Sequence, residues 1–267
     1  MKIGVLGCAG RMGRILATQV LADERAELIG GTEAMGSEYI GHDIAQLAGH
    51  DASGNTIVDD PLSLFSKADT IIDFTIPSAT AGHAKMASET GTALIVGTTG
   101  LDHNQQDAIF QASEKSVVVQ AANYSVGVNI LLGLTEKTAG ILGNEYDIEI
   151  LEMHHRQKVD APSGTALALG KAAAMGRGVD LEKVSQRVRD GQTGARNIGD
   201  IGFATLRGGD VAGDHVIVFA ADGERVELTH KASDRKVFAV GAVRAALWTA
   251  DKLPGLYSMS DVLELDS

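Results

Sequence analysis

Residues 2–13 read Lys2-Ile3-Gly4-Val5-Leu6-Gly7-Cys8-Ala9-Gly10-Arg11-Met12-Gly13, and they predict a buried strand followed by a glycine-rich turn. Residues 14–21 follow with the apolar spacing of a helix, and residues 28–32 predict a second strand that ends at Glu33. A strand, a glycine turn, a helix, a second strand and an acid, in this order, are typical of a parallel sheet that binds a dinucleotide.

The glycines of this turn have a physical purpose, because side chains would keep a pyrophosphate away from the backbone N–H groups at a helix N-terminus. Glu33 lies 20 positions beyond Gly13 and is predicted to accept hydrogen bonds from an adenine ribose. The strict spacing G-x-G-x-x-G is not met, since Ala9 and Met12 occupy two of its glycine positions. A tight turn without a ligand is therefore the alternative, and we expect Cys8 only to fill the loop.

The rest of the first half continues the alternation of strands and helices. Strands are predicted over residues 68–75, 93–96 and 117–120, with a helix over residues 77–90. Such alternation favours a parallel sheet, whose ligands bind beyond the carboxyl ends of the strands. The strand over 68–75 ends in a polar loop, and small and polar residues at 97–101 and 121–125 follow the other two strands. We predict that these three strand ends line one cofactor crevice with the glycine turn.

The composition argues against several classes of function. The 267 residues carry a formal net charge of -12, whereas nucleic-acid binding needs a basic face. No apolar run approaches the ~20 residues that span a bilayer, and no secretory segment is evident. The single cysteine excludes a disulfide within the chain and suits a reducing compartment. We therefore expect a cytoplasmic protein that binds neither nucleic acid nor a membrane.

The second half predicts a different architecture. Asp222-Gly223 is a hairpin signal between two strand-like segments, and several strands accompany one or two helices. The predicted strands cover residues 146–153, 198–206, 211–220 and 224–230, and the predicted helices cover residues 129–142, 166–174 and 235–250. We predict a Rossmann-like α/β domain followed by an α+β domain with a mixed, mostly antiparallel sheet. The last helix could return to the first domain.

Residues 152–166 form a cationic segment in this acidic chain, Glu-Met-His-His-Arg-Gln-Lys-Val-Asp-Ala-Pro-Ser-Gly-Thr-Ala. His154 and Lys158 can transfer protons, and the backbone of Ser163-Gly164-Thr165 at a helix start can bind a carboxylate. A metal site is disfavoured, because adjacent histidines on a strand point to opposite faces. A solvated basic loop is the other alternative. The combination favours an enzyme that protonates a small carboxylate-bearing substrate.

Both segments resemble those of the 4-hydroxy-tetrahydrodipicolinate reductase (dihydrodipicolinate reductase) family. The resemblance rests on residues 5–13 and 152–166, and on Asp73-Phe74-Thr75, Gly97-Thr98-Thr99-Gly100 and Asn123-Tyr124-Ser125 in the same order. It covers essentially the whole chain, and the motif His-His-Arg-x-Lys-x-Asp-Ala-Pro-Ser-Gly-Thr is its most specific part. It implies a nicotinamide-dependent reduction of a cyclic dicarboxylate to tetrahydrodipicolinate in the lysine and diaminopimelate pathway.

The resemblance also implies roles for the domains and for individual residues. Residues 1–125, completed by residues 235–267, would bind the dinucleotide, and residues 126–234 would bind the substrate and assemble a homotetramer. His154 would be the acid/base residue and Lys158 the proton donor. The substrate would contact His155, Ser163, Gly164 and Thr165. The cofactor would contact Gly7, Cys8, Ala9, Gly10, Arg11, Met12, Glu33, Phe74, Gly97, Thr98, Thr99, Ala121, Ala122, Asn123 and Tyr124.

The position after Glu33 bears on the choice of cofactor. Family members that use NADPH well often carry arginine there, where it can pair with the 2′-phosphate, whereas this chain has Ala34. Glu33 would also repel that phosphate. We predict that NADH is preferred, that NADPH is possible, and that no metal takes part. The degree of selectivity, the place of the dehydration step and the exact role of His154 stay open.

Two other functions would share parts of this pattern. Another two-domain oxidoreductase, such as a semialdehyde or homoserine dehydrogenase, would share the nucleotide fold. The only cysteine lies in the glycine turn, however, which argues against a cysteine nucleophile. A non-catalytic NADH-sensing module would keep the glycine turn and would need no pair of His154 and Lys158.

Overall fold

The structure is a computed structural model that describes residues 1–265. These residues divide into two compact units, which we call unit 1 and unit 2. Unit 1 comprises Met1–Val126 and Arg235–Glu264, and unit 2 comprises Gly127–Asp234 together with Leu265. Within the described residues, no helix is both long enough and apolar enough to span a bilayer.

The strands and helices are numbered along the chain. The strands are β1 (Lys2–Leu6), β2 (Glu27–Thr32), β3 (Ile57–Val58), β4 (Thr70–Asp73), β5 (Ala93–Val96), β6 (Val117–Gln120), β7 (Asp147–His154), β8 (Ser185–Gln186), β9 (Ile201–Arg207), β10 (Gly213–Ala221), β11 (Glu224–Ala232) and β12 (Gly255–Tyr257). The α-helices are α1 (Arg11–Leu21), α2 (Ile44–Leu47), α3 (Pro61–Phe65), α4 (Pro77–Thr90), α5 (His103–Ser113), α6 (Val126–Leu142), α7 (Gly164–Arg177), α8 (Leu181–Val184), α9 (Lys236–Trp248) and α10 (Met259–Leu263). Short 3₁₀ helices cover Gly143–Glu145 and Thr249–Asp251.

Unit 1 is built on a parallel sheet, as predicted. Within residues 1–265 its strands lie in the order β12-β6-β5-β4-β1-β2-β3, and every pairing among them is parallel. The chain moves outward from β1 through β2 and β3 in one direction, and through β4, β5 and β6 in the other. The direction therefore reverses between β1 and β4, which is where sheets of this kind bind their ligands.

Helix α9, which follows the last strand of unit 2 in the chain, is part of the core of unit 1. Its Ala242 and Val243 are buried in the same apolar cluster as Ile3 and Val5 of β1. Small residues allow this close packing, since a Cβ added at Gly241 would lie 1.7 Å from the carbonyl oxygen of Tyr124. The strands beneath are apolar on both faces, and β4 and β5 are buried along their whole length.

Unit 2 contains a mixed sheet in the order β11-β10-β7-β9-β8. The pairs β11 with β10 and β10 with β7 are antiparallel, whereas β7 with β9 and β9 with β8 are parallel. The predicted mixed sheet is confirmed, with antiparallel and parallel pairings in equal number in the part of the chain that the structure describes. Along β7 the residues alternate, so that Ile148, Ile150, Glu152 and His154 are buried on one face, the face that α7 covers.

Several boundaries differ from the sequence prediction. Helix α7 begins at Gly164, two residues before the expected start, because Ser163 caps its N-terminus. Helix α6 begins at Val126 instead of residue 129, and β9 begins at Ile201 instead of residue 198. Helix α5 was not predicted, although Asp102 and Gln105 form a capping box at its start, a signal that the sequence carries.

Candidate active site

The carboxyl ends of five neighbouring strands are level in unit 1. Leu6 pairs with Thr32 on one side and with Asp73 on the other, Asp73 pairs with Val96, and Val96 pairs with Gln120. Each of these residues is the last of its strand. The residues that follow, and which the sequence predicted to contact a cofactor, therefore leave the sheet at one edge; they are Gly7, Glu33, Phe74, Gly97 and Ala121.

Helix α1 packs directly against the backbone of the glycine turn that precedes it. A Cβ at Gly13 would lie 2.2 Å from the carbonyl oxygen of Gly7, so any side chain there would push the helix away. Gly7 has φ of +62°, a conformation that favours glycine, and its carbonyl oxygen accepts a hydrogen bond from the N–H of Gly10 at 3.1 Å. Gly10 caps α1 without a side-chain hydrogen bond, and Arg11 beside it is exposed. The positive end of α1 is thus presented by backbone alone.

Glu33 is fixed against this turn. Its Oε1 accepts a hydrogen bond from the N–H of Ala9 at 2.7 Å, and its own N–H donates to the carbonyl oxygen of Val58 at 3.0 Å. The following residue, Ala34, is exposed. The glycine turn and the acid, 24 positions apart from Ala9 to Glu33, are therefore brought together at the carboxyl ends of β1 and β2.

Two of the predicted cofactor residues direct their side chains into the core. Cys8 is 1% exposed, and a Cβ at Gly31 would lie 2.7 Å from its Sγ. Burial, assisted by the charge of Glu33, raises the pKa of the Cys8 thiol to about 12. The hydroxyl of Tyr124 lies 2.9 Å and 2.8 Å from the carbonyl oxygens of Val96 and Val119. A contact of Cys8 or Tyr124 with a cofactor would therefore use the backbone, and Cys8 is not a nucleophile.

The remaining predicted cofactor residues lie around the ends of β4, β5 and β6. The ring of Phe74 packs on Gly97, where a Cβ would lie 2.4 Å from the ring, and its centroid is 5.4 Å from that of Tyr124. Thr98 is buried, Thr99 and Ala122 are exposed, and Met12, Ala121 and Asn123 are half-buried. The structure thus gathers these residues at the same sheet edge as the glycine turn.

A buried hydrogen bond between Asp73 and His83, which was not predicted from the sequence, supports this end of the sheet. The Asp73 carboxylate lies 2.8 Å from Nδ1 of His83 and accepts hydrogen bonds from the N–H and hydroxyl of Thr75 at 2.9 and 2.6 Å. The hydroxyl of Thr98 lies 3.4 Å from the same carboxylate. Burial raises the pKa of Asp73, but the contacts with His83 and Thr75 outweigh it, so the pKa lies below its ordinary value. The pair fixes the chain on either side of Phe74 and Gly97.

In unit 2 the cationic segment begins at the end of β7. His154 is 8% exposed, and its Nδ1 lies 2.6 Å from Oε2 of Glu152, two residues earlier on the same face of the strand. Arg207, at the end of β9, donates two hydrogen bonds to Glu152 at 2.8 and 2.9 Å. Burial lowers the pKa of His154 further than the neighbouring carboxylate of Glu152 raises it. The ring is therefore held in place and favours its neutral form.

Lys158 lies in the loop after β7, where its side chain is 21% exposed. Its Nζ makes an ion pair with Oδ1 of Asp160 at 2.8 Å, a partner that the sequence reading did not anticipate. The hydrogen bond from Lys158 holds the pKa of Asp160 below its usual range. The positive charge of Lys158 also contributes to the lowered pKa of His154, so the two predicted catalytic residues share one electrostatic environment.

The predicted substrate residues adopt different positions. Gly164 and Thr165 are the first two residues of α7, and a Cβ at Gly164 would meet open space. Ser163 is 2% exposed; its hydroxyl accepts from the N–H of Ala166 at 3.1 Å and lies 3.1 Å from Nε2 of His215. A role for Ser163 in substrate binding would therefore be indirect, because its side chain is buried and occupied.

His155 follows the last residue of β7 and is half-buried. Its N–H donates to the carbonyl oxygen of Val211 at 2.8 Å, and its buried Nδ1 has no hydrogen-bond partner in the described residues. The neighbouring loop before β10 thus supports the cationic segment, and the N–H of Gly208 also donates to the carbonyl oxygen of His154 at 3.0 Å.

Glu152, Arg207 and His215 are site residues that the sequence reading missed. Arg207 lies 55 positions from Glu152, and His215 lies 52 positions from Ser163, so no local spacing connects them. A signal for Glu152 existed, since it shares the buried face of an alternating strand with His154, where an unpaired carboxylate is unfavourable.

Comparisons with known proteins match both halves of the chain. The family described as dihydrodipicolinate reductase, N-terminus, matches residues 1–124, and the family described as dihydrodipicolinate reductase, C-terminus, matches residues 127–263. A 4-hydroxy-tetrahydrodipicolinate reductase from Dinoroseobacter shibae is 52% identical over 263 residues, which cover 98% of both chains. One from Rhodopseudomonas palustris is 51% identical over 265 residues, covering 99% of this chain and 98% of the relative.

A solved structure shares the fold at lower identity. The dipicolinate-bound dihydrodipicolinate reductase from Paenisporosarcina sp. TG-14 aligns with a TM-score of 0.75 and 23% identity, and the alignment covers 97% of each chain. The chain that carries these site features is about half identical to the reductases from Dinoroseobacter shibae and Rhodopseudomonas palustris over nearly its whole length. The chain belongs to the 4-hydroxy-tetrahydrodipicolinate reductase (dihydrodipicolinate reductase) family.

Proposed function

We propose that this protein reduces 4-hydroxy-tetrahydrodipicolinate to tetrahydrodipicolinate with a nicotinamide dinucleotide, a step in lysine and diaminopimelate biosynthesis. The observation that carries the proposal is the segment from Glu152 to Thr165. It places a buried, neutral histidine, a lysine and the N-terminus of α7 within one short stretch of a chain whose relatives bear this activity. Proton transfer and carboxylate binding are the two tasks that such a substrate requires.

The residues of unit 1 fit a dinucleotide. The backbone of Gly10, Arg11 and Met12 would hold the pyrophosphate, because α1 begins there with no capping side chain in the way. Glu33 would hold the adenine ribose, and the segments around Phe74, Gly97–Thr99 and Ala121–Tyr124 would line the nicotinamide. The cofactor, when bound, supplies the hydride. We propose NADH as the preferred form, because Ala34 offers no positive charge beside Glu33.

The residues of unit 2 would supply the proton and bind the substrate. Lys158 Nζ would deliver the proton to the substrate carbon, and His154 would act as acid/base residue or electrostatic partner beside it. The backbone at Gly164 and Thr165 would bind one carboxylate at the positive end of α7, with His155 assisting. Ser163 would hold that helix end in place through its bonds to Ala166 and His215.

We further propose that the protein is a homotetramer that associates through the sheet of unit 2. The sheet face opposite α7 carries an apolar patch, which we define as Leu151, Met153, Leu206, Val216 and Val218. Leu151 and Leu206 are 36% and 46% exposed. The register places Leu151 opposite Val216, and Met153 lies opposite Leu206, so the members are neighbours on one surface. A second copy of the chain is the partner that the family resemblance indicates for this surface.

The activity is tested by following NADH oxidation with freshly generated 4-hydroxy-tetrahydrodipicolinate. We expect substrate-dependent turnover for the natural chain. Lys158→Met should lower kcat by about 10²- to 10⁴-fold, the usual contribution of a proton-transferring group, without changing the Kd for NADH. Lys171→Met is the matched control, because Lys171 is an exposed lysine on α7, and it should keep full activity.

The two claims fail separately. Without substrate-dependent oxidation by the natural chain, the proposed function is wrong. If the natural chain is active and Lys158→Met retains its kcat, the function stands and Lys158 is not the proton donor.

A further inference from the structure

Glu152 occupies an unusual place for a carboxylate. It is 1% exposed and lies on the buried face of β7, directly after the core residues Ile148 and Ile150. An ionised carboxylate in such a position is strongly unfavourable unless its oxygens are satisfied. Both carboxylate oxygens accept hydrogen bonds, and besides His154 the donors come from two other parts of unit 2: Thr205 and Arg207 on β9, and the N–H of Ser163 at the start of α7.

The bonds fix the orientation of the carboxylate. Oε2 lies 2.6 Å from Nδ1 of His154 and accepts from Nη1 of Arg207 at 2.8 Å. Oε1 accepts from Nη2 of Arg207 at 2.9 Å and from the N–H of Ser163 at 3.0 Å. The two-point contact with the guanidinium prevents rotation of the carboxylate, which is what a bidentate arginine pair provides.

The protonation of Glu152 decides the tautomer of His154. Burial raises the pKa of Glu152, but the hydrogen bonds from Arg207 and His154 outweigh it, so the pKa lies below its ordinary value and the group is ionised near neutral pH. An ionised carboxylate can only accept hydrogen bonds. Nδ1 of His154 must therefore carry a proton, and Nε2 is left as the nitrogen that gains or loses one.

The surroundings of the ring leave Nε2 available. A Cβ at Gly213 would lie 3.0 Å from Nε2, so the glycine at the start of β10 is what keeps a side chain away from it. Four titratable or charged groups face the ring: Glu152 from its own strand, Arg207 from β9, His215 from β10 at 5.1 Å between ring centroids, and Lys158 from the following loop. Burial lowers the pKa of His215 to about 4, so this neighbour is neutral near neutral pH.

The same ion pair holds the substrate end of the site. Nη2 of Arg207 also donates to the carbonyl oxygen of Asp160 at 2.6 Å, and Glu152 accepts from Ser163, which caps α7. The position of His154 and the start of α7 therefore depend on one pair of side chains. The loop that carries Lys158 runs between these two attachment points.

We infer that Glu152, clamped by Arg207, is a positioning residue that keeps the proton of His154 on Nδ1 and so commits Nε2 to exchange with the substrate. The inference rests on the proposed function for its effect on turnover. The tautomer itself can be measured without substrate, so the inference can be tested even if the activity proves different.

The test uses Glu152→Gln in the full chain with ¹⁵N-labelled histidine. In the natural protein the ring nitrogen shifts of His154 should show a protonated Nδ1 and an unprotonated Nε2; the signals are assigned by their loss in His154→Asn. In Glu152→Gln the acceptor is no longer obligatory, so the Nε2–H tautomer should appear. Turnover should fall by about 10²-fold, within the range for a misplaced acid/base group, while the KM for NADH stays the same.

The pH profile gives a second readout, which a merely structural role would not move. Removing the negative charge of Glu152 lowers the pKa of His154, so the limb of the kcat profile that reports this histidine should shift to lower pH. Glu149→Gln is the matched control. Glu149 lies on the same strand and pairs with Arg189 and Arg196, but it faces away from His154 and should leave tautomer and profile unchanged.

Glu152→Asp covers the case in which Glu152→Gln does not fold. It keeps the charge that Arg207 requires but withdraws the carboxylate from Nδ1 by one methylene, so it should lose turnover and tautomer preference as well. The inference is overturned if a folded Glu152 variant retains the natural tautomer or the natural kcat. If the natural protein has the Nδ1–H tautomer but no reductase activity, the proposed function fails and the positioning role stands.

Discussion

At the residue scale, one small side chain bears on which cofactor the protein uses. Ala34 is exposed directly after Glu33, whose carboxylate accepts a hydrogen bond from the N–H of Ala9 at 2.7 Å and which we propose as the ribose-binding residue. A 2′-phosphate there would meet the negative charge of Glu33, and Ala34 supplies no positive charge to offset it; the nearby guanidinium of Arg14 is bonded to the carbonyl oxygen of Ala9 at 2.9 Å. We therefore expect a higher kcat/KM for NADH than for NADPH, measured by steady-state kinetics with each cofactor.

The variant Ala34→Arg tests the cause of this preference. A guanidinium can pair with the phosphate in a two-point contact, so kcat/KM for NADPH should rise by about tenfold, equivalent to roughly 1.4 kcal/mol. Ala34→Met, which is long but uncharged, should not produce the gain. An equal or higher kcat/KM for NADPH in the natural chain would contradict the expectation.

Residues also differ in how far the sequence reveals them. Glu33 could be predicted because a strand, a glycine turn and a helix set the position of the acid within a short segment. His154 and Lys158 stand in a motif that is recognisable by itself. Arg207 could not be found in this way, because its partner Glu152 is distant in sequence and only the pairing of β7 with β9 brings them together.

At the scale of elements, β10 and α7 meet at a buried hydrogen bond between His215 and Ser163. His215 is 3% exposed, and its burial, with a smaller contribution from the neighbouring His154, lowers its pKa to about 4. In the unfolded chain His215 is protonated with a pKa of ~6.5, whereas in the folded chain it stays unprotonated until the pH approaches about 4. The free energy of unfolding should therefore decrease as the pH falls from ~6.5 towards 4, by an amount on the order of 3 kcal/mol, and the contribution of His215 should change no further below 4.

Thermal unfolding measured across this pH range checks the effect. In His215→Gln the Tm should depend less on pH in this window, although His154 and His230, whose pKa values burial also lowers, will leave part of the dependence. His50→Gln, a change at an exposed histidine, serves as the control and should behave like the natural chain. An unchanged pH dependence in His215→Gln would rule out the proposed linkage.

The elements themselves were predictable to different degrees. The parallel sheet of unit 1 could be derived from short apolar runs that alternate with helical segments, and the mixed sheet of unit 2 from the alternating residues of β7 and the hairpin signal at Asp222-Gly223. The short strands β3, β8 and β12 contain two or three residues and carry no period. These short segments are strands only because each forms hydrogen bonds with a neighbouring strand, and that pairing depends on the tertiary fold.

At the scale of the whole molecule, the apolar patch on the sheet of unit 2 predicts self-association. Leu151 lies near its centre, opposite Val216, and an exposed apolar surface of this kind on a sheet is unfavourable in water. We expect light scattering after size exclusion to give a mass four times that of the 27.8 kDa chain. Leu151→Glu should place a charge in each copy of the interface and yield a smaller species with unchanged circular dichroism.

Ile141→Glu provides the matched control for this experiment. Ile141 is 74% exposed on α6 of the same unit but lies outside the patch, so the substitution makes the same kind of chemical change without touching the sheet. This variant should keep the mass of the natural protein. A monomeric natural chain would contradict the tetramer, and a Leu151→Glu variant that remains tetrameric would show that the copies associate through another surface.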